Sequence, residues 1–163
     1  MSRPAPQIRS ATPADVPLLH ELITALAVYE REPDAVKASL EDVRASLFDE
    51  GATAHALICE QDGQALGFAV YFFNYSTWLG RNGLYLEDLF VRPEARGKGA
   101  GLALLRHLAQ LAVQRGCGRF EWSVLDWNQP AIDFYKAVGA RPMDGWTVYR
   151  LDGERLAAFA AGG

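Results

Sequence analysis

The chain has 163 residues, half of them apolar and 22% charged, which is the length and composition of one ordinary globular domain. Those proportions exclude a disordered chain, a collagen repeat and a coiled coil. Sixteen basic against twenty acidic residues leave a formal charge of −4, without the overall basicity of a nucleic-acid or anionic-membrane binder.

In chain order, Ile8–Ser10 reads as a short first strand. Thr12-Pro13-Ala14-Asp15 opens a helix: Thr caps, Pro fits the first turn and Asp favours the positive helix end. Leu18, Leu19, Leu22, Ile23 and Leu26 form its apolar stripe. Ser39-x-x-Asp42 starts a second helix carrying Leu40, Val43 and Leu47. Ala54–Glu60 is a strand, Gln61-Asp62-Gly63-Gln64 a hairpin turn, and Ala65–Tyr75 and Gly83–Val91 are two further strands. Gly101–Arg115 is a helix ended by Gly116. Arg119–Leu125 is a strand, Pro130–Val138 a helix that stops at Gly139, and Trp146–Leu151 a final strand before an Ala-rich, helix-compatible tail. Three consecutive strands with hairpin-scale connections argue for a mixed α+β sheet with helices on both faces, against a doubly wound parallel one. Neither an internal repeat nor a linker interrupts the chain. One domain over residues 1–163 is expected, with its core at about 7–151 and flexible ends at 1–6 and 157–163.

Charge is unevenly spread. Residues 15–62 hold eleven acids against three bases, whereas residues 63–163 hold nine against eleven. The acidic half is either a solvated surface or a field for a cationic ligand, and the basic half suits a phosphate-bearing one. Cys59 and Cys117 form no C-x-x-C pair, and His20, His55 and His107 lack metal-ligand spacing, so no metal is expected. Residues 1–7 contain no apolar stretch of signal-peptide type, and the longest apolar run, Ala65–Phe73, is nine residues. The expectation is a cytoplasmic protein without membrane or nucleic-acid partners.

Arg96-Gly97-Lys98-Gly99-Ala100-Gly101 lies between a strand and a helix. Glycines let the backbone approach a ligand, and the free amides of a helix start favour an anion. This is pyrophosphate-cradle chemistry, yet the dinucleotide pattern fails at Leu102 and the Walker pattern fails because Gly99 follows Lys98.

The loop resembles the Arg/Gln-x-x-Gly-x-Gly/Ala signature of the GNAT acetyltransferase family. Leu84-Tyr85-Leu86-Glu87-Asp88-Leu89-Phe90-Val91-Arg92-Pro93 is similar to that family's fourth strand, and Trp127–Lys136 to its downstream segment. Tyr29-Glu30, Tyr75-x-x-Trp78-x-Gly80 and Trp146 are most like the diamine acetyltransferases, which act on spermidine, spermine or thialysine. The resemblance runs from about Ile8 to Leu151. It implies a mostly antiparallel twisted sheet of about six or seven strands, splayed where acetyl-CoA enters.

The same resemblance implies that amides of Gly97, Lys98, Gly99, Ala100, Gly101 and Leu102, with Arg96, hold the CoA pyrophosphate. Main-chain groups of Leu89, Phe90 and Val91 would meet the pantetheine and the thioester oxygen. Asn128, Gln129, Pro130 and Ala131 would meet the far side of CoA, and Tyr135 would protonate the leaving thiolate. Glu87 is the candidate that binds the ammonium and removes its proton. By period two it shares a face with Tyr85, Leu89 and Val91, and Asp88 points to the other face unless a bulge swaps them. Tyr29, Glu30, Trp78, Glu121, Trp122 and Ser123 would line the acceptor site, with Trp146 walling it. An acceptor bearing a carboxylate needs a cation, for which Arg31 or Arg81 is available. The implied reaction is direct N-acetylation of a small cationic amine in a ternary complex, by a homodimer. The alternatives are a non-catalytic acyl-CoA sensor or scaffold, and a protein lysine or N-terminal acetyltransferase.

Overall fold

The computed structural model describes residues 4–163, which divide into two compact units, one ending at Leu125 and one running from Asp126 to Gly163. The first carries a five-stranded sheet in the order β1-β2-β3-β4-β5. Its strands are β1 (Gln7–Ser10), β2 (Ala54–Gln61), β3 (Gln64–Ser76), β4 (Arg81–Val91) and β5 (Phe120–Trp122). Neighbours are antiparallel except β4 and β5, which are parallel. The β2–β3 hairpin turns through Asp62 and Gly63, both at positive φ, the backbone of a two-residue turn that follows the sheet's own twist.

Helices cover both faces. On one, α1 (Val16–Tyr29) and α2 (Leu40–Phe48) bury Leu19, Leu22, Leu26 and Val43 against Ala56, Ile58, Phe68 and Phe90. On the other lies α3 (Ala100–Gln114), whose Leu104, Leu105, Leu108 and Ala112 are buried. The sheet residues of that face include Leu57, Cys59, Ala69, Leu84 and Leu86. Cys59 is fully enclosed, and burial pushes its thiol up to about 11, so it packs as a small apolar residue.

The start of α1 is clamped electrostatically. The Asp15 carboxylate takes two hydrogen bonds from the Arg9 guanidinium, at 2.7 and 2.9 Å, and one from the Thr12 N–H at 2.8 Å. Arg9 also reaches Glu60 of β2 at 3.2 Å. One guanidinium thus ties the first strand, the helix entrance and the second strand together.

In the second unit, α4 (Gln129–Ala137) is capped by Asn128, whose Oδ1 accepts from the Ala131 N–H, and α5 spans Gly153–Ala160. Two expectations need correction here. Residues 146–151 form no strand among the described residues, and Trp146, Val148 and Tyr149 are 73%, 86% and 93% exposed. Their alternation supplies β propensity, but a strand exists only where a neighbour completes its ladder. The stretch read as Arg119–Leu125 pairs only over Phe120–Trp122, so the sheet has five strands rather than six or seven.

The Arg9 hydrogen bonds hold the Asp15 carboxyl down at about 2. Because this pKa lies below its unfolded value, the pair stabilises the fold above pH 4 and ceases to do so as pH falls towards 2. Replacing Asp15 by Asn is expected to cost about 1–2 kcal/mol at pH 7. Urea midpoints at pH 7 and pH 3 check this, the difference between variant and parent shrinking at the lower pH.

Candidate functional site

The site is built on the second half of β4. Val70 of β3 pairs with Asp88 and Tyr71 pairs with Leu86, so Glu87 has no opposite residue and is a bulge. One extra residue exchanges the two faces of everything beyond it. Before the bulge, Leu84 and Leu86 lie on the α3 face and Tyr85 on the α1 face. After it, Leu89 and Val91 take the α3 face, and Asp88 and Phe90 the α1 face. The strict alternation read from the sequence, with Glu87 beside Tyr85, Leu89 and Val91, therefore does not hold. Asp88 is the carboxylate that shares a face with Tyr85.

Around Asp88 a wall assembles from three elements. The α1 helix ends in Tyr29, whose ring lies 6.4 Å from that of Phe90, followed by Glu30. Burial raises the Asp88 carboxyl to about 6, with Glu87 and Glu30 adding repulsion. Glu30 is also raised, by burial and then by Glu87. The third element is β5, where Glu121 pairs with Tyr85; just past it the Ser123 hydroxyl lies 2.9 Å from the Tyr85 hydroxyl. Half-buried carboxylates that repel one another form a place for a cation.

On the open side of β4 the sheet parts. Pairing with β5 ends at Leu86↔Trp122, so Glu87 to Val91 have no ladder partner there among the described residues. The Arg92 N–H bonds to Leu66 of β3. By strand alternation, Phe90 also faces β3, and the main-chain groups of Leu89 and Val91 face the gap. The Arg96 Nε–H donates to the Val91 carbonyl at 3.4 Å across that edge.

Beyond β4 the chain enters the glycine loop, held at its ends by buried Ala95 and Ala100. Gly97 and Gly99 have φ of +81° and +83°, and a Cβ at either would meet no protein atom within 4 Å. Both glycines are therefore required by backbone conformation, and the space above them is open. The N–H groups of Ala100, Gly101 and Leu102 open α3 and have no partner within the helix, whose first bond runs from Ala103 to Gly99. With Arg96 and Lys98 exposed beside them, they form a fitting cradle for a diphosphate. Arg96 also lies over the Tyr29 ring, its Cζ 4.8 Å from the centroid, and so connects the cradle to the acidic wall.

Other expected residues stand elsewhere. Glu87 is exposed on the bulge. Trp78 occupies the β3–β4 turn, stacked under Arg119 at 6.0 Å. From the hairpin end at Arg81 to Asp88 is roughly 20 Å of extended strand, so within this chain Trp78 is not part of the wall. Trp122 pairs with Leu86 and lies with Phe120 on the α3 face. Asn128, Gln129, Pro130, Ala131 and Tyr135 belong to the second unit, at the start and end of α4, where Tyr135 packs beside Phe134 at 5.6 Å. Trp146 is in the unpaired segment of that unit. The place of Asp88 on this wall was signalled only by the adjacent acids Glu87-Asp88, because the bulge that orients them leaves no mark in the residue pattern.

Comparison with known proteins agrees over nearly the whole chain. The model of the acetyltransferase (GNAT) family matches residues 19–140. A thialysine N-epsilon-acetyltransferase of Sus scrofa is 40% identical, covering 94% of this chain and 96% of that protein. An L-ornithine N5-acetyltransferase of Arabidopsis thaliana is 32% identical over 94% of this chain and 87% of its own length. Among solved structures, an integron cassette protein from the mobile metagenome of V. cholerae superposes with a TM-score of 0.80 at 30% identity, covering 96% and 98% of the two chains.

Two outcomes follow from this geometry. A Gly99→Val variant is expected to lose CoA affinity at least tenfold by calorimetry, because valine disfavours the left-handed backbone that aims the amides. An Asp88→Asn variant is expected to be more stable than its parent near pH 7.5. A carboxyl whose folded pKa is raised loses stability as pH climbs from 4 through 6, and removing the charge recovers up to about 3 kcal/mol. Thermal melts at pH 7.5 and pH 4 check this, with the gain confined to the higher pH.

Proposed function

Since the chain belongs to the acetyltransferase (GNAT) family, we propose that it is an N-acetyltransferase carrying acetyl from acetyl-CoA to the terminal amine of a small cationic acceptor, a diamine, polyamine or thialysine-like amino acid. The observation that carries this reading is the contact between its two halves: Arg96, first residue of the anion cradle, rests on Tyr29 of the acidic wall.

In this reading the amides of residues 97–102, with Arg96 and Lys98, bind the diphosphate of the co-substrate, which brings the activated acetyl group. Its pantetheine lies along the parted edge of β4, and an N–H of Leu89 or Val91 stabilises the oxyanion as the amine adds. Asn128, Gln129, Pro130 and Ala131 complete the CoA contacts. The acceptor's ammonium binds among Asp88, Glu30 and Glu87, beside Tyr29, Glu121 and Ser123. An amine must lose a proton to attack, and a carboxylate titrating near 6 takes it directly or through water at neutral pH. We therefore assign the base to Asp88, with Glu87 adding negative potential from the bulge. Tyr135 is assigned as the acid for the departing thiolate on the match of its motif. No helix among the described residues is long and apolar enough to cross a membrane. We extend the proposal to residues 1–163 acting as one domain in a cytoplasmic homodimer.

The test follows thiol release from acetyl-CoA with a panel of diamines, polyamines and diamino acids. Amine-dependent thiol and an acetylated product are expected. Asp88→Asn should raise the acceptor KM at least tenfold and lower kcat roughly 100-fold, and Tyr135→Phe should lower kcat roughly 100-fold while leaving CoA affinity unchanged. CoA binding without turnover on any amine would make the chain a binding module instead.

A further inference from the structure

The glycine loop has to be aimed as well as bent, and a residue ahead of its motif makes the contacts that aim it. Pairing of β4 with β3 ends at Gly67↔Val91, and one more main-chain bond follows, from the Arg92 N–H to the Leu66 carbonyl at 2.8 Å. Beyond it no main-chain bond joins the two strands among the described residues. The chain then makes a single helical turn, Pro93–Ala95, in which the Ala95 N–H bonds to the Arg92 carbonyl at 2.9 Å, and enters the loop at Arg96. This flank borders a cavity of about 470 Å³ whose lining includes Ala65, Leu66, Arg92, Ala95 and Lys98. Packing leaves that side of the loop's entrance unfilled, so directed bonds have to hold it in place.

The Arg92 side chain supplies two such bonds. Its Nε–H donates to the Ala65 carbonyl of β3 at 3.2 Å, and its Nη1–H donates to the Glu21 carboxylate of α1 at 3.0 Å. A guanidinium is a rigid planar fork, so donors engaged on two different elements fix its stem and the residue that bears it. The Glu21 side chain is 60% exposed, so the ion pair adds little to folding stability; what it supplies is geometry. Four residues further on, Arg96 rests on Tyr29 of the same helix. The segment leading into the cradle therefore touches α1 at two places, Glu21 and Tyr29, about 12 Å apart along the helix. Since α1 ends at the acidic wall, these contacts set the cradle's position relative to that wall.

We propose that Arg92 is a positioning residue for the co-substrate: its bonds to Ala65 and Glu21 hold the entrance of the cradle against β3 and α1, so that the amides of residues 97–102 meet the diphosphate already aimed. This rests on the reading of that loop as the CoA cradle and adds to it a residue outside the motif.

The experiment titrates CoA into the native chain and its variants by calorimetry, which reports Kd and the binding-competent fraction separately. Arg92→Met keeps the apolar stem and should weaken CoA binding about tenfold, the scale of losing hydrogen bonds from a charged group, with the stoichiometry unchanged. Arg92→Lys keeps the charge without the fork and should recover only part of that loss. Glu21→Gln removes a negative charge at an exposed position, where folding is not at stake. Through the field alone it would tighten the binding of an anion; through the lost contact it should weaken CoA binding about threefold, and add nothing in the Arg92→Met background. A native Kd in Arg92→Met, a loss confined to its stoichiometry, full recovery by Arg92→Lys, or tighter binding by Glu21→Gln overturns the role of Arg92 and leaves the cradle standing. A native chain that binds no CoA overturns the cradle and this proposal together.

Discussion

Everything distinctive about this site depends on one unpaired residue in the central hairpin. The bulge at Glu87 makes β4 one residue longer than the segment of β3 it faces. A sheet assigns side chains to its faces by parity, so a single insertion reverses all later assignments. Leu84 and Leu86 pack towards α3, and two residues after Leu86 the same strand presents Asp88 and Phe90 to α1. Without it, Asp88 would lie on the α3 face, among Leu104, Leu105 and Leu108, with no partner to offset the cost of burying its charge.

The same half-strand is where the sheet opens. Because β5 is only three residues long, it leaves the edge from Glu87 to Val91 without a ladder. Main-chain groups of Leu89 and Val91 then face a gap that continues into the glycine loop. An antiparallel sheet closed on both edges would have used those groups internally. The parting of β4 from β5 thus leaves that backbone outside any ladder among the described residues, while pairing with β3 holds the strand in place.

Opposite electrostatics stand side by side within one compact unit. The start of α3, with Arg96 and Lys98, favours an anion, and the end of α1 with Asp88 favours a cation. The two are separated by little more than the stack of Arg96 on Tyr29. Burial and mutual repulsion raise the carboxyls of Asp88 and Glu30. Like charges held close together favour an opposite charge between them.

Much of this architecture was legible in the residues. Apolar periodicity located α1, α3 and the long strands; Ser39-x-x-Asp42 and Asp62-Gly63 marked a cap and a turn; and the spacing of Gly97, Gly99 and Gly101 marked the cradle. These features depend on neighbours along the chain, and local chemistry decides them. What the tertiary structure decided was relational. Whether residues 146–151 form a strand depends on a partner, not on their own alternation. Which of two adjacent acids joins the acidic wall depends on how β4 registers against β3. That Glu30 comes within electrostatic reach of Asp88 depends on where α1 ends over the sheet. Sequence specifies each element's own preference, and only packing selects the side chains that come to share one site.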